Sequence, residues 1–328
     1  MGFTLSILLG IIPMLFFAWF VYWMDRYEKE PKSLLGGVFV WGAVVAAGGA
    51  YFVNTLLGAG VYLFTGSEVT TELTTGSLIA PVVEESLKGF AVLAIFLAFR
   101  NEFDSLMDGV VYAAVTALGF AATENAYYIY QYGFQESGME GLLWMAFVRV
   151  ILVGWQHPFY TAFIGIGLAT SHLSRNQFLK VAALLIGWSA AVFTHSAHNT
   201  IATLASGLSG LVFGTFLDWT GWSFMFLFIV WALNRERKWL THHLHEEMVS
   251  GLITPKQYLT ACSAWSQSGA RLAALFEGRY HLTARFYQTC AELAHKKQRY
   301  AALGDEIGAC ALIERLRADL ADLSLKLS

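Results

Sequence analysis

Apolar residues form long, nearly unbroken runs over the first two thirds of the chain, then give way to a mixed pattern with helical spacing. Runs of this length read as helices that cross a bilayer, since a span needs about 20 mainly apolar residues. They predict about seven such helices, near residues 3–23, 35–64, 78–99, 106–132, 143–172, 179–205 and 210–233. The second and fifth exceed about 20 residues, so they are expected to tilt, to extend past the bilayer or to break. Arg149 inside the fifth points to a snorkelling or interfacial start. No basic region and small-residue cleavage site precedes the first charges, so the opening run reads as a retained span.

After residue 233 the pattern is that of an amphipathic, soluble helical tail. A helix is expected around 239–262, with Gly251 as a stop, Thr254 as the next N-cap and Pro255 in the first turn that follows. Two further amphipathic stretches, near 270–300 and 305–325, carry Leu303, Ile307, Leu312, Leu316, Leu320 and Leu323 at helical spacing. Such a stripe is the core of a small bundle or a self-association surface. His242, His243 and His245 read as a solvated helix beside the membrane rather than as a metal site. Arg235, Arg237 and Lys238 are expected to meet anionic headgroups. The fold class is therefore all-α, with a transmembrane domain over 1–233 and a cytosolic tail over 234–328.

Composition agrees with this division. Only 14% of the 328 residues are charged, and 56% are hydrophobic; soluble domains hold about 25% charged residues. A net charge of −3 gives no footprint for nucleic acid. Cys262, Cys290 and Cys310 all lie in the tail, without the short spacing of a zinc knuckle, and free thiols suit a reducing cytosol. Loop charges set direction. Arg26, Lys29 and Lys32, then Arg100, then Arg175 and Lys180, then Arg235, Arg237 and Lys238 follow the odd-numbered helices. The intervening loops contain no Lys or Arg, so the N-terminus is expected outside and the tail in the cytoplasm.

Against this background a few polar residues stand out. Glu84, Glu85 and Lys88 lie in the third span, Glu124 in the fourth, His157 in the fifth, and His195 and Asn199 in the sixth. A charge at membrane depth costs about 3 kcal/mol on insertion scales, so such groups face a bundle interior or a wet cavity. At 1.5 Å per residue, Glu84 lies about 9 Å, Glu124 about 12 Å, His195 about 15 Å and Asn199 about 9 Å below the outer side. His157 is midway along its span. Four spans thus bring polar groups to one layer in the outer half of the membrane.

Glu84 and Lys88 share a helix face, while Glu85 points about 100° away toward a neighbour. His195 and Asn199 also share a face, suited either to oxyanion hydrogen bonding or to tying helices together. His198 is rotated off that face. Pro158, after His157, is expected to break the helix ladder and open a local cavity. Asp104 and Asp108 sit where they would cap the fourth helix. Gly109, Ala113, Ala117 and Ala121 form a small-residue stripe for close packing, with Glu124 and Asn125 beyond it.

Taken in order, Glu84-Glu85-x-x-Lys88, Phe103-Asp104 with Asp108-Gly109 and Tyr112, Gly119-Phe120-Ala121 with Glu124-Asn125, then His157 and His195, resemble the motifs of the PrsW-type intramembrane proteases. That family is similar to the CAAX-processing and bacteriocin-linked membrane endopeptidases. The resemblance covers residues 20–232 and leaves the tail outside. It implies an integral protein of a prokaryotic cell membrane that cleaves a membrane-embedded protein, often a single-span regulator such as an anti-sigma factor.

The resemblance also implies residue roles. Glu84 activates water, with Glu85 or Glu124 holding the water or a second proton. His157 and His195 move the proton or polarise the carbonyl, and Asn199 donates to the oxyanion. Lys88, Asp108, Phe120 and Asn125 support them. No cofactor is required in this reading. The close alternative is Zn²⁺ on Glu84, His157 and His195, although His-Glu-x-x-His, the strongest local zinc signature, is absent. A proton-coupled transporter would also bury acids and imidazoles, but no internal repeat is evident. A catalytically inert scaffold is the remaining rival. The partners implied are the membrane-embedded substrate and the lipid bilayer, with self-association through the tail as a further option.

Overall fold

The computed structural model describes residues 1–205, 207–305 and 308–327. Ile307 of the tail stripe lies outside the described residues. All regular elements among the described residues are helical. The chain divides into two compact units. The first comprises Met1–Met24, Glu30–His172 and Gln177–Leu227, and the second Asp25–Lys29, Leu173–Asn176 and the chain from Phe228 onward.

In the first unit, α1 (Gly2–Met24) is followed by α2 (Lys32–Thr65), which contains a π-helical turn at Trp41–Ala46. Gly66, at φ +65°, ends α2, a conformation that costs glycine little. The short α3 (Glu68–Thr74) and a π turn lead into α4 (Ala80–Ala98). Next come α5 (Leu106–Tyr128), α6 (Gln135–Ala146), α7 (Gln156–His172), α8 (Gln177–Leu204) and α9 (Gly207–Val249).

Among the described residues, five helical stretches are long and apolar enough to cross a membrane: α1, α2, the run from Leu106 to His172, α8 and α9. Of the expected spans, the one containing α4 falls outside that set, because it carries Glu84, Glu85 and Lys88. Its 19 residues still make a rod about 28 Å long. Large apolar side chains such as Phe3, Trp19, Leu63, Phe64 and Phe193 point outward. A patch of this extent is unfavourable in water and neutral against lipid tails.

α5 is the axis of the unit, buried almost continuously from Met107 to Ala122. A capping box starts it. Ser105 Oγ accepts from the amides of Met107 and Asp108, and Asp108 Oδ2 accepts from the Asp104 and Ser105 amides at 2.7 Å. α5 packs on α1, α2, α4 and α7. The expected small-residue stripe is one of its contact faces: a Cβ on Gly109 would stand 2.2 Å from the Gly165 carbonyl oxygen of α7. On another side, a Cβ on Gly119 would stand 2.0 Å from the Phe39 carbonyl oxygen of α2. Backbones this close exclude any side chain.

Three sequence expectations need correction around a fifth span that is broken, as its length allowed, into two helices, with a π turn at Phe147–Leu152 and a bend at residues 153–155 ahead of α7. Pro158 therefore breaks no ladder; it sits in the first turn of α7, where the missing N–H is not needed. The last span does not stop near residue 233. α9 is one helix of 43 residues that absorbs Arg235, Arg237 and Lys238, good helix formers without a capping signal. The stretch at 270–300 is divided at Gly278, φ +71°.

The second unit contains the end of α9, then α10 (Pro255–Ala261), α11 (Ala264–Phe276), α12 (Tyr280–Leu303) and α13 (Ala309–Leu327). Gly251 (φ +79°) and the Thr254–Gln257 capping box lie where the sequence placed the stop and the restart. The core holds Leu240, Leu244, Ile253, Phe286, Cys290, Leu293, Leu316, Leu320 and Leu323, with Leu312 packed against it. Leu303 is buried as well. The leucine stripe thus faces the unit's own core. His242 and His245 are exposed, and His243 Nε2 meets Gln298 Oε1 at 3.0 Å.

Candidate active site

Two consecutive acids on one helix must face different neighbours, and α4 shows how each is satisfied. Glu85 is fully buried. Its Oε1 takes Lys88 Nζ at 2.8 Å and His195 Nδ1 at 2.9 Å, and its Oε2 takes the Thr161 hydroxyl at 2.8 Å. Both oxygens are engaged, so Glu85 ties α4 to α7 and α8. Glu84 is the less committed acid. Its Oε1 lies 3.4 Å from Asn54 Nδ2, and its buried Oε2 finds no hydrogen-bond partner on the protein. Lys88 Nζ, at 3.6 Å, and His195 Nε2, at 3.8 Å, stand just beyond that oxygen's reach. Lys88 thus pairs more closely with Glu85, one turn back, than with Glu84, the partner expected from four-residue spacing.

Glu124 ends the buried part of α5. Its Oε2 meets His157 Nε2 at 2.7 Å and is paired with Arg149. Arg149 Nε donates to Asn125 Oδ1 at 2.9 Å, and its guanidinium lies over the Tyr128 ring. The expected snorkelling of Arg149 is therefore replaced by an inward turn, because an unpaired carboxylate lies within its reach. His157 Nδ1 lies 3.2 Å from Lys88 Nζ, so this nitrogen accepts and the opposite N–H donates to Glu124. The Lys88 ammonium also sits 3.9 Å from the centre of the Phe120 ring.

Glu84, Glu85, Lys88, Phe120, Glu124, Asn125, His157 and His195 are thus linked in one contiguous cluster. Asn199 and Asp108 are not joined to it. Asn199 Nδ2 donates to the Gly76 carbonyl at 2.9 Å, in the π turn before α4. Asp108 belongs to the capping box, about 24 Å along α5 from Glu124 at 1.5 Å per residue. A cleft of about 450 Å³ opens onto the cluster, lined by α2, α4 and α5 and including Asn54, Glu84, Phe120 and Glu124.

Sequence reasoning missed a second layer. The Tyr160 ring stacks on His195, with centroids 4.8 Å apart, and its hydroxyl lies 3.5 Å from Asp218 Oδ1. That same oxygen meets His198 Nδ1 at 3.0 Å. Asp218 is a lone carboxylate in the apolar run of α9. The signal that picked out Glu84 would have found it.

Glu84, His157 and His195 each turn one potential ligand atom to within 4.8 Å of the others. The donor set fits a divalent ion such as Zn²⁺. Glu84 Oε2 is unpartnered, and His195 has its Nδ1 held by a carboxylate, as metal-bound histidines usually do. His157 would join by exchanging Lys88 or Glu124 for the ion.

A helical protein with long membrane-compatible helices and a buried acid–imidazole centre is the class that the fold and the cluster define. The chain belongs to the PrsW family, whose model, described as PrsW family intramembrane metalloprotease, matches residues 30–233. It is 26% identical over 216 residues to a protease PrsW of Geobacillus kaustophilus (strain HTA426), covering 65% of this chain and 86% of that protein. It is 29% identical over 214 residues to a protease PrsW of Bacillus subtilis (strain 168), covering 65% and 90%. A protease PrsW of Clostridioides difficile (strain 630) is 32% identical over 124 residues, 38% of this chain and 50% of that protein. No solved structure matches.

Proposed function

We propose that the chain is an intramembrane endopeptidase in which Glu84 activates the water that cleaves a membrane-embedded protein, such as a single-span regulator. The observation that carries this reading is Glu84 Oε2, a buried carboxylate oxygen that lies near Lys88 and His195 but has no hydrogen bond on the protein, on a residue that lines the cleft. A general base needs a free acceptor within reach of water; both Glu85 oxygens are hydrogen-bonded, and Glu124 Oε2 is held by His157 and Arg149. Glu84 Oε2 takes a proton from water as the water oxygen bonds to the scissile carbonyl carbon. The proton then passes to the leaving amide nitrogen, directly or through His195 Nε2, and the C–N bond breaks to give an acid and an amine. Glu85 fixes the His195 ring by accepting from Nδ1, which leaves Nε2 facing Glu84. Lys88 and Arg149 balance the acids, and Asn199 completes an oxyanion contact if a substrate draws it from Gly76.

A second reading rests on the donor set of Glu84, His157 and His195 and on the family's description. An ion held there would lower the pKa of a bound water and polarise the carbonyl. The two readings share the same membrane topology. Residues 1–233 form the protease domain with its N-terminus outside, and 234–328 form a cytoplasmic tail. Trp265, Leu272, Leu275 and Phe276, exposed on α11, support self-association of the tail.

The test uses the purified chain in vesicles with a fluorogenic membrane-spanning peptide, with and without a chelator. Glu84→Gln is expected to lower the cleavage rate by at least about a hundredfold, within the range of a general base, at unchanged expression. Full activity in Glu84→Gln would sink the proposal. Loss on chelation with rescue by Zn²⁺ selects the second reading, and indifference to the chelator selects the first. A proton-coupled transporter or an inert scaffold would hydrolyse no peptide.

A further inference from the structure

The cleft has a direction and a chemical bias. Its rim is aromatic and open: Tyr51 is 64% exposed and Tyr127 42%. Its floor is closed, with Phe120 2% exposed and Glu84 7%. Small residues of α2, namely Ala47, Gly48 and Ala50, keep the passage between them clear.

The polar atoms along the wall mostly ask for donors. Asn54 Nδ2 faces Glu84 Oε1, and since an ionised carboxylate only accepts, the amide must be oriented with Oδ1 away from it. Asn54 Oδ1 is buried and has no partner on the protein. The Thr55 hydroxyl spends its hydrogen on the Tyr51 carbonyl at 2.7 Å, and the Thr123 hydroxyl on the Ala43 carbonyl at 2.6 Å. Both keep lone pairs. With Glu84 Oε2, these make four oxygen acceptors along the path from Asn54 to Thr123.

A membrane helix hides its N–H groups in its own ladder, and its peptide bonds are shielded with them. Unwinding it for cleavage exposes donors, each of which costs several kcal/mol if left unpaired in lipid. We propose that this cleft binds an unwound backbone segment of the substrate's membrane helix, and that Asn54 is a positioning residue whose Oδ1 accepts a backbone N–H beside the scissile bond. This rests on the protease reading and adds the substrate's conformation and path. Asn54 serves two purposes. Its Nδ2 turns Glu84 so that Oε2 is the free oxygen, and its Oδ1 registers the substrate.

The probe is a lysine-flanked peptide of about 20 apolar residues with a central Gly-Gly pair, in phosphatidylglycerol vesicles. A matched set replaces one amide at a time with an ester, which removes a single N–H. Asn54→Ala is expected to raise KM for the all-amide peptide about tenfold, the order of one buried hydrogen bond. At one ester position near the cut the same substitution should cost nothing further, the signature of a pairwise contact in a double-mutant cycle. An equal loss on every peptide, or no loss on any, overturns the assignment.

Gly48→Leu covers the case in which Asn54→Ala fails to fold. A Cβ at Gly48 meets nothing within 4 Å, so the variant should fold while its side chain fills the cleft. In Glu84→Gln protein, which holds the peptide uncut, Gly48→Leu should weaken binding by about tenfold, read by fluorescence anisotropy. Unchanged binding there overturns the cleft as the substrate's path. A parent protein that binds the peptide but never cleaves it overturns the protease reading instead.

Discussion

Each unit of the molecule buries carboxylates among cations, and the two do so differently. In the tail unit, Glu246, Glu247 and Glu314 meet Lys297 and Arg317, three acids against two bases, and of the acids only Glu247 is buried while Glu246 and Glu314 are exposed. Glu247 Oε1 alone takes Lys297 Nζ at 2.8 Å and Arg317 Nε at 3.0 Å. At the centre of the membrane-embedded unit, Glu84, Glu85 and Glu124 face only Lys88 and Arg149 as permanent cations. Two histidines add hydrogen bonds to Glu85 and Glu124, and the buried Glu84 Oε2 is left without one. A cluster whose buried acid is engaged and whose spare acids are solvated reads as structure. One that buries a carboxylate oxygen without a hydrogen bond, at a cost to stability, reads as a working site.

That contrast can be broken experimentally. The largest effect is expected within the centre itself. Glu85→Gln or Lys88→Met strands a buried partner and should cost about 3–5 kcal/mol of stability. It would appear as a lowered unfolding midpoint in detergent, whereas Glu84→Gln leaves the midpoint nearly unmoved. Equal destabilisation by both glutamate variants would erase the distinction drawn between them. In the tail, Glu247→Gln should cost about 1–3 kcal/mol, less because Arg317 retains some access to water. Cleavage by the embedded unit should persist, and its loss would mean that the tail cluster is functional too.

Smaller still is Asp218→Asn. It weakens the hold on Tyr160 and, through the stacked ring, on His195, so kcat should fall about tenfold with KM unchanged. A change in KM alone would assign Asp218 to substrate binding. The mildest test is thiol labelling. Cys262 and Cys290 are buried and Cys310 is exposed. Burial pushes the Cys262 thiol up to about 11. Because the thiolate is the nucleophile, maleimide near pH 7.5 should modify Cys310 alone, with Cys262 reacting only as the pH climbs toward that value.

The sequence made the centre legible because a polar group in an apolar span is a loud signal, and counting residues along helices put these groups at a common level. Glu84, Glu85, Glu124, His157 and His195 do come together. What the pattern could not resolve was pairing. Spacing matched Lys88 to Glu84, but the rotamer that also reaches His157 and the Phe120 face brings it closer to Glu85. Asn199 was placed on the right face of α8, yet a backbone carbonyl on the turn before α4 captures its amide. Asn54 is a neutral amide in an apolar run, too cheap to attract notice. Arg149 was legible as an anomaly but not in direction, since that depends on where Glu124 sits. In the tail, turn chemistry at Gly251, Thr254 and Pro255 could be read directly, whereas the continuity of α9 through Arg235–Lys238 could not, because charge marks a membrane boundary and not a helix end.

The near-contact of Gly119 with the Phe39 carbonyl has one more implication. With Gly42, where a Cβ would stand 2.0 Å from the Thr116 carbonyl oxygen, it holds α2 against α5 ahead of the stretch from Ala47 on that flanks the opening to Glu84. Any side chain larger than hydrogen at either glycine would prise the two helices apart and so reset the width of that opening.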